Sequence, residues 1–158
     1  MGQVQLRTSQ LVKLLRADIN NPMVHARVQR VAAQAMNHVT WTSFSFDNEE
    51  IDTASLWAAG SPTLITIPRT GLYLLTATVY CDANASTNER GGQFLLNGAT
   101  VIEKIYFNNV PNTGPHSCLS TTKMLAATNT IALQGYHALG GAVNFYGTLT
   151  VSLLTEGR

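Results

Sequence analysis

The residues of this chain that could do chemistry are few and scattered. A nucleophilic site needs a nucleophile oriented by a base, and the base must itself be oriented by a third group. His116 and Cys118 are two residues apart, so on a strand they would share one face, but ordinary strand alternation explains that spacing equally well. The remaining histidines, His25, His38 and His137, stand in no recognisable catalytic motif. The sequence therefore predicts that the protein is not an enzyme.

The acidic cluster Asp47, Glu49, Glu50 and Asp52 is the other candidate for chemistry. Paired carboxylates can serve glycoside hydrolysis, and several oxygens together can bind a hard cation. The cluster lacks the glycine and the ligand spacing of a calcium loop, and a solvated acidic loop is the simplest interpretation. The sequence predicts no catalytic residues, no metal site and no cofactor.

Charge is scarce and unevenly distributed. Charged residues make up 12% of the 158 residues, about half the usual share. Because bare surface normally carries charge for solubility, this favours a surface covered by partner subunits, although a monomer with an uncharged polar surface also fits. Residues 1–40 carry a net +4 and residues 41–158 a net −3, which suggests an arm that meets something acidic. With no basic run and no interleaved aromatic residues, the arm does not predict nucleic-acid binding.

The compartment follows from the N-terminus and the cysteines. The N-terminal apolar residues are interrupted by charges, so no signal peptide is expected, and no segment is long enough to span a membrane. Cys81 and Cys118 form no C-x-x-C pair. We expect two small buried thiols in a reducing compartment, with a single disulfide as the alternative. The chain is thus expected to be made in cytoplasm.

The first 40 residues predict a basic helical arm. Leu11, Leu14, Leu15 and Ile19 recur at three- and four-residue intervals, which is typical of a helix. After the break at residues 20–22, a second helix is predicted from a 4-3-4 seam of apolar residues that ends at Ala35. Helices this short need a partner, either their own domain, neighbouring copies or a foreign surface. The predicted docking residues of the arm are Arg7, Leu11, Lys13, Leu14, Arg16, Val24, Arg27, Val28, Arg30 and Val31.

From Trp41 onward the pattern predicts strands. Apolar runs are separated by turn signals, of which Asn97-Gly98 is a good hairpin turn because both residues accept positive φ. No helical pattern interrupts the series, so residues 41–158 are predicted to form one all-β antiparallel sandwich or barrel.

Four segments of this region resemble the tumour necrosis factor and complement component 1q superfamily. Ile65 to Val79 resembles its signature, in which a short strand ends in Pro and Gly-x-Tyr opens a long core strand. Gln93 to Gly98 resembles its Asn-Gly hairpin, and Leu125 to Leu133 a strand whose usual Gly-Asp entry is replaced here by Thr-Asn. Asn144 to Leu149 resembles the terminal strand.

The resemblance covers roughly residues 41–154 and implies a jelly roll of about ten strands that forms homotrimers. It also implies a three-fold axis lined by aromatic and aliphatic side chains. Any aromatic residue at such a position could equally line the core of its own domain. The candidates for the axis are Tyr73, Phe94, Tyr106, Tyr136, Phe145 and Tyr146.

Compact heads of this kind without secretion signals resemble those of tailed-bacteriophage virion proteins. The resulting hypothesis is a trimeric capsid decoration protein, assembled in the host cytoplasm, whose arm docks on the major capsid protein or another virion protein. One alternative is a tail-fibre tip or minor tail protein whose loops Asp82–Gly92 and Asn108–Pro115 touch a host-surface glycan. Another is a non-viral soluble binding module of the same fold.

Overall fold

The computed structural model describes residues 23–108 and 114–157. Within these ranges the chain forms ten strands and no helix, so no helix of membrane-spanning length occurs there either. The strands are β1 (His25–Met36), β2 (Thr42–Ser43), β3 (Asn48–Asp52), β4 (Ile65–Thr66), β5 (Gly71–Cys81), β6 (Arg90–Leu96), β7 (Thr100–Phe107), β8 (His116–Leu125), β9 (Thr130–His137) and β10 (Val143–Glu156).

The strands form two antiparallel sheets that pack face to face. The first sheet has the order β3-β1-β10-β5-β8, and the second has the order β2-β9-β6-β7, with β4 also paired to β9. Sequence neighbours therefore often lie in different sheets, as in a jelly roll. The predicted all-β antiparallel sandwich is confirmed.

Alternation along the strands builds the core between the sheets. In β5 every second residue, including Tyr73, Leu75 and Val79, is buried, and the residues between them are half-buried on the outer face. Phe44 fills the space over Gly147, where a Cβ atom would lie 3.0 Å from the Phe44 ring. Burying such side chains from water is the main stabilising term of the fold.

The Asn97-Gly98 hairpin is confirmed. Both residues have positive φ, 51° and 70°, as a type I′ turn requires. The Ala99 amide donates to the Leu96 carbonyl across the turn, 3.1 Å away. The Asn97 side chain also accepts a hydrogen bond from the Thr130 amide at 2.8 Å, so it ties the hairpin to β9.

The second predicted helix is wrong, because its residues form the strand β1. This strand pairs with β10 on one side and with β3 on the other, and it places Ala26 and Val28 in the core. A helix here would leave the open edge of β10 without hydrogen-bond partners. The sandwich therefore includes residues 25–36, which the sequence assigned to the arm. The first predicted helix, Thr8 to Ile19, lies outside the described residues.

A bulge in β1 explains the misleading pattern. The register with β10 shifts between Arg30 and Gln34. Asp47 fills the bulge, since its carboxylate accepts the Val31 and Ala32 amides at 2.8 and 3.0 Å and lies 3.1 Å from the Arg30 guanidinium. The extra residues break the two-residue alternation, and what remains imitates a helical spacing.

Candidate functional site

The outward face of the first sheet carries no charged side chain over three of its five strands. The outward residues of β10, β5 and β8 include no Asp, Glu, Lys or Arg, and we call this surface the hydroxyl face. Its residues are Asn144, Tyr146, Thr148, Thr150, Ser152, Leu72, Leu74, Thr76, Thr78, Tyr80, His116, Cys118, Ser120, Thr122 and Met124.

Short hydroxyl side chains occupy the centre of the hydroxyl face. Thr78 lies between Thr148 of β10 and Cys118 of β8, and Thr76 lies in the next row beside Thr150. These side chains, together with Arg27 of the neighbouring β1, border a shallow depression of about 240 Å³. Small side chains of equal length leave a flat surface on which a second protein surface can pack closely.

Stacked rings close one end of the hydroxyl face. Tyr80 stands between His116 and Tyr146, with ring centroids 4.8 and 4.6 Å apart and interplanar angles of 19° and 9°. Partial burial, helped by the nearby carboxylate of Asp82, raises the pKa of Tyr146 above its usual value, so the phenol stays neutral. The two tyrosines of this row are therefore uncharged.

Apolar side chains close the other end. Leu72 and Met124 are opposite each other, and Met124 is 55% exposed. The surface thus passes from stacked rings through hydroxyls to aliphatic groups. The centre of a protein interface typically has few charged residues and is enriched in aromatic and Met side chains.

Charges begin at the β1 edge of this sheet, and they are paired. The Arg27 guanidinium contacts the Glu50 carboxylate, which also accepts a hydrogen bond from the Gln29 amide at 2.9 Å. The Asp52 carboxylate accepts the backbone amides of Ala54 and Trp57, at 3.1 and 2.8 Å.

Most of the predicted acidic cluster thus stabilises local structure. Asp47, Glu50 and Asp52 all have partners within the chain. Among the residues that the structure describes, no three His, Cys, Asp or Glu side chains are grouped to hold a metal ion.

The predicted docking residues do not form one surface. Val24, just before β1, and Val28 within it are core residues, 1% and 0% exposed, because the alternation of the chain points both between the sheets. Arg27 and Arg30 are held by acidic partners, whereas Val31 is 59% exposed. The other predicted docking residues lie outside the described part of the chain: Arg7, Leu11, Lys13, Leu14 and Arg16.

Three of the six aromatic candidates for a trimer axis belong to the core. Tyr73, Phe94 and Phe145 are 0% exposed, so they offer no surface to another subunit. Burial raises the pKa of Tyr73, whose hydroxyl donates to the Arg69 carbonyl at 2.8 Å.

The other three aromatic candidates lie on outer surfaces. Tyr146 lies on the hydroxyl face. Tyr106 and Tyr136 lie together on the outward face of the second sheet, with ring centroids 6.0 Å apart.

The two cysteines are free and lie on different sides of the first sheet. Cys81 is buried and Cys118 is exposed, which contradicts the expectation that both are buried. Burial raises the pKa of the Cys81 thiol. On the hydroxyl face the Cys118 sulfur lies 3.9 Å from the Thr78 hydroxyl. Cys118 and His116 share this face, as alternation predicts, but His116 stacks on Tyr80.

The sequence interpretation missed the hydroxyl face, although a signal for it was present. Thr76-Ala-Thr78, Thr148-Leu-Thr150 and Ser120-Thr-Thr122 each place hydroxyl residues two apart in a predicted strand. That spacing puts them on one face, and their recurrence in three strands indicates a shared surface.

Comparison with known proteins gives a fold and no family. No protein-family model matches the sequence, and no curated protein matches it. Among solved structures, the globular domain of zebrafish complement 1qA protein superimposes with a TM-score of 0.70 at 9% identity, covering 85% of this chain and 99% of that one. The fold is that of a complement 1q-type jelly roll. The Eiger tumour necrosis factor of S. frugiperda superimposes with a TM-score of 0.64 at 11% identity, covering 87% and 96% of the two chains.

These similarities agree with the superfamily that the sequence motifs resembled. At such low identity they establish the jelly-roll fold alone. They also show that the match takes in nearly the whole of each compared domain, so the jelly roll here has no large deletion.

Proposed function

We propose that this protein is a self-associating binding or structural module, without catalytic activity, that forms homotrimers through its hydroxyl face. The observation that carries the proposal is the lack of any charged side chain among the outward residues of β10, β5 and β8. A lone domain gains solubility from surface charge, whereas the buried centre of an interface loses it.

One feature favours a trimer over other assemblies, and two more support self-association in general. The superfamily that the sequence resembles implies trimers, and the jelly-roll fold agrees with that resemblance. The hydroxyl face is flat and passes from aromatic to aliphatic side chains, so it can pack on a neighbouring copy. The scarcity of charge over the whole chain, 12% of residues, fits a surface covered by other copies.

The exposed thiol of Cys118 tests this proposal directly. In a trimer built through the hydroxyl face we expect Cys118 to be protected from a maleimide reagent, and to become reactive when dilution separates the subunits. Cys81 is the internal control because it is buried within each subunit at any concentration. Sedimentation should show trimers where Cys118 is protected. Rapid labelling of Cys118 in a trimeric sample would place the interface elsewhere.

We further propose, as the finer form of this function, a capsid decoration protein in a phage virion whose N-terminal segment contacts the capsid. The support is the separation of charge, because residues 1–22 hold three basic residues and one acidic residue while residues 41–158 carry a net −3. Three copies of a weak docking segment would bind together through their effective concentration. A tail-fibre tip or a non-viral module of the same fold would use the same trimeric head.

The deletion that tests capsid docking must end at residue 22. A deletion to residue 38 would remove β1, which lies between β3 and β10 in the first sheet. We expect the chain lacking residues 1–22 to remain a folded trimer and to lose binding to capsids purified without the protein. Binding that is retained at full affinity would contradict the capsid-docking proposal and leave the trimer proposal intact.

A further inference from the structure

The outward face of the second sheet carries an aromatic row that crosses three strands and ends at Trp41, just before β2. Trp41 lies beside Tyr136 of β9. Tyr136 is opposite Gly91 of β6, and Gly91 is opposite Tyr106 of β7. Gly91 has no side chain, so the rings occupy the space above it. A Cβ atom at Gly91 would lie 3.0 Å from both the Trp41 and the Tyr106 rings.

The rings of this row form one connected platform. Trp41 stacks on Tyr136 with centroids 5.1 Å apart, and Tyr106 meets Trp41 edge-on at 5.9 Å. Tyr106 is 46% exposed, and Trp41 and Tyr136 are half-buried. The Lys104 ammonium lies 5.1 Å from the Trp41 ring centroid and 5.6 Å from that of Tyr106.

A second row, made of polar side chains, runs beside the rings. The Gln93 amide donates to the Gln134 oxygen at 2.6 Å, and the Gln134 amide donates to the Ser43 hydroxyl at 3.2 Å. Lys104 is opposite Gln93 on β7. Gln93 is 4% exposed, and its Oε1 atom has no hydrogen-bond partner. A buried acceptor left without a donor is costly, so this atom indicates a missing O–H or N–H group.

The two rows are two residues apart along each strand, a separation of about 6.6 to 6.8 Å. One ligand ring can therefore lie on the aromatic row while its substituents reach the polar row. Such a ligand needs an apolar face for Trp41 and Tyr106 together with an O–H or N–H group that donates to Gln93. A saccharide meets both requirements.

The charge of the face excludes two other ligand classes that bind aromatic side chains. A cationic ligand would be repelled by Lys104, which already occupies the electron-rich ring surface. A single-stranded nucleic acid needs a positively charged groove along its backbone. Lys104 is the one basic side chain among the outward residues of β9, β6 and β7 as the structure describes them.

We propose that the outward face of the second sheet binds a saccharide, with Trp41, Tyr136 and Tyr106 stacking on a sugar ring and Gln93 Oε1 accepting a sugar hydroxyl. Lys104 is exposed, and exposed side chains change rotamer within nanoseconds. Its movement opens the space beside Gln93. The site lies on the sheet opposite the hydroxyl face, so it does not depend on the trimer proposal.

The test begins with the full-length protein on an array of bacterial surface polysaccharides and animal glycans. The strongest glycan is then titrated calorimetrically against the wild-type protein and two variants. Tyr106→Ala removes an exposed ring, and Gln93→Leu keeps the volume of residue 93 but removes the acceptor. We expect each to weaken binding at least about tenfold, near 1.4 kcal/mol. Trp57→Phe is the matched control, because Trp57 is an aromatic residue distant from both rows in the sheet pairing, where it bridges to Ile65 of β4.

The outcomes are decisive in each direction. Circular dichroism melting first shows that each variant is folded. A blank array, or a glycan bound equally by wild type and Tyr106→Ala, overturns the proposal. So does tighter binding to a thymidine oligonucleotide than to any glycan. Loss of binding in Tyr106→Ala and Gln93→Leu with binding retained in Trp57→Phe supports it.

Discussion

Thr78→Arg should convert the trimer into monomers. Thr78 lies at the centre of the hydroxyl face, between Thr148 and Cys118. An arginine there would place a guanidinium within the proposed interface. The strands around Thr78 offer it no carboxylate on this face. Asp82, at the aromatic end, already accepts a hydrogen bond from Asn144, and Glu50, at the edge of the sheet, is already in contact with Arg27.

The size of the effect follows from the cost of a desolvated charge. An uncompensated buried charge costs about 3 kcal/mol at the lower end of measured values. A trimer contains three copies of the substitution, so the total is about 9 kcal/mol, or roughly six decades in the association constant. Because the association constant of a trimer has units of M⁻², six decades in the constant move the midpoint concentration by about three decades, from nanomolar to about micromolar.

Sedimentation equilibrium at a concentration between the two midpoints, on the order of a tenth of a micromolar, measures this change. The monomer has a mass of 17.1 kDa, and we expect the variant to sediment at that mass while the wild type sediments at three times that mass. Thr100→Arg is the matched control, because Thr100 is an exposed residue of β7 in the other sheet. A Thr78→Arg protein that remains trimeric would refute the assignment of the hydroxyl face as the interface.

Three further predictions concern stability. Gly98→Ala should lower the free energy of unfolding in urea by about 1 kcal/mol, because Gly98 has φ of 70° and alanine is strained there. Gly60→Ala is the control and should leave the free energy of unfolding nearly unchanged, because Gly60 lies in an open exposed turn. Arg90→Met should lower the free energy of unfolding by about 2 kcal/mol, because each lost donor leaves an acceptor unpaired. The buried Arg90 guanidinium donates to the Ser86 and Asn88 carbonyls. Equal or greater stability of the variant would contradict this role. Burial lowers the pKa of His137 below 6.5, so the unfolded chain binds a proton at this residue more readily than the folded chain does. The contribution of His137 to the free energy of unfolding should therefore be complete above about pH 6.5. Below that pH the free energy of unfolding should fall by up to about 1.4 kcal/mol per pH unit. His137→Gln should remove that part of the slope in urea titrations followed from pH 7 to pH 5.

The strands of the sandwich were predictable where alternation is uninterrupted. Gly71 opens β5, the Asn97-Gly98 turn closes the β6–β7 hairpin, and both follow from local backbone chemistry. β1 was not predictable from its own residues, because the bulge between Arg30 and Gln34 hides its period. Its strand conformation is imposed by pairing with β10 and β3, which are distant in sequence.

Which face each aromatic residue occupies was harder to predict. Tyr73 and Tyr80 are in the same strand, seven residues apart, and therefore lie on opposite faces. The sequence does not reveal which set faces the core, since Leu72 and Leu74 on the outer face are as apolar as Tyr73 and Leu75 on the inner one. Only the packing of the second sheet distinguishes them, and so the buried and exposed aromatic residues were predicted together as one trimer surface.

The pairing of the first described strand with the last one also has a use in engineering. The Leu153 amide donates to the Val24 carbonyl at 2.9 Å, so residues 24 and 153 are adjacent across the first sheet. A short peptide can therefore join residue 157 to residue 23, and new ends can be opened at the exposed Asn97-Gly98 turn. Such a circular permutant keeps every strand pairing. In a trimer it would carry three fused cargo proteins on hairpin tips, at the same end of the sandwich as the joined residues 157 and 23.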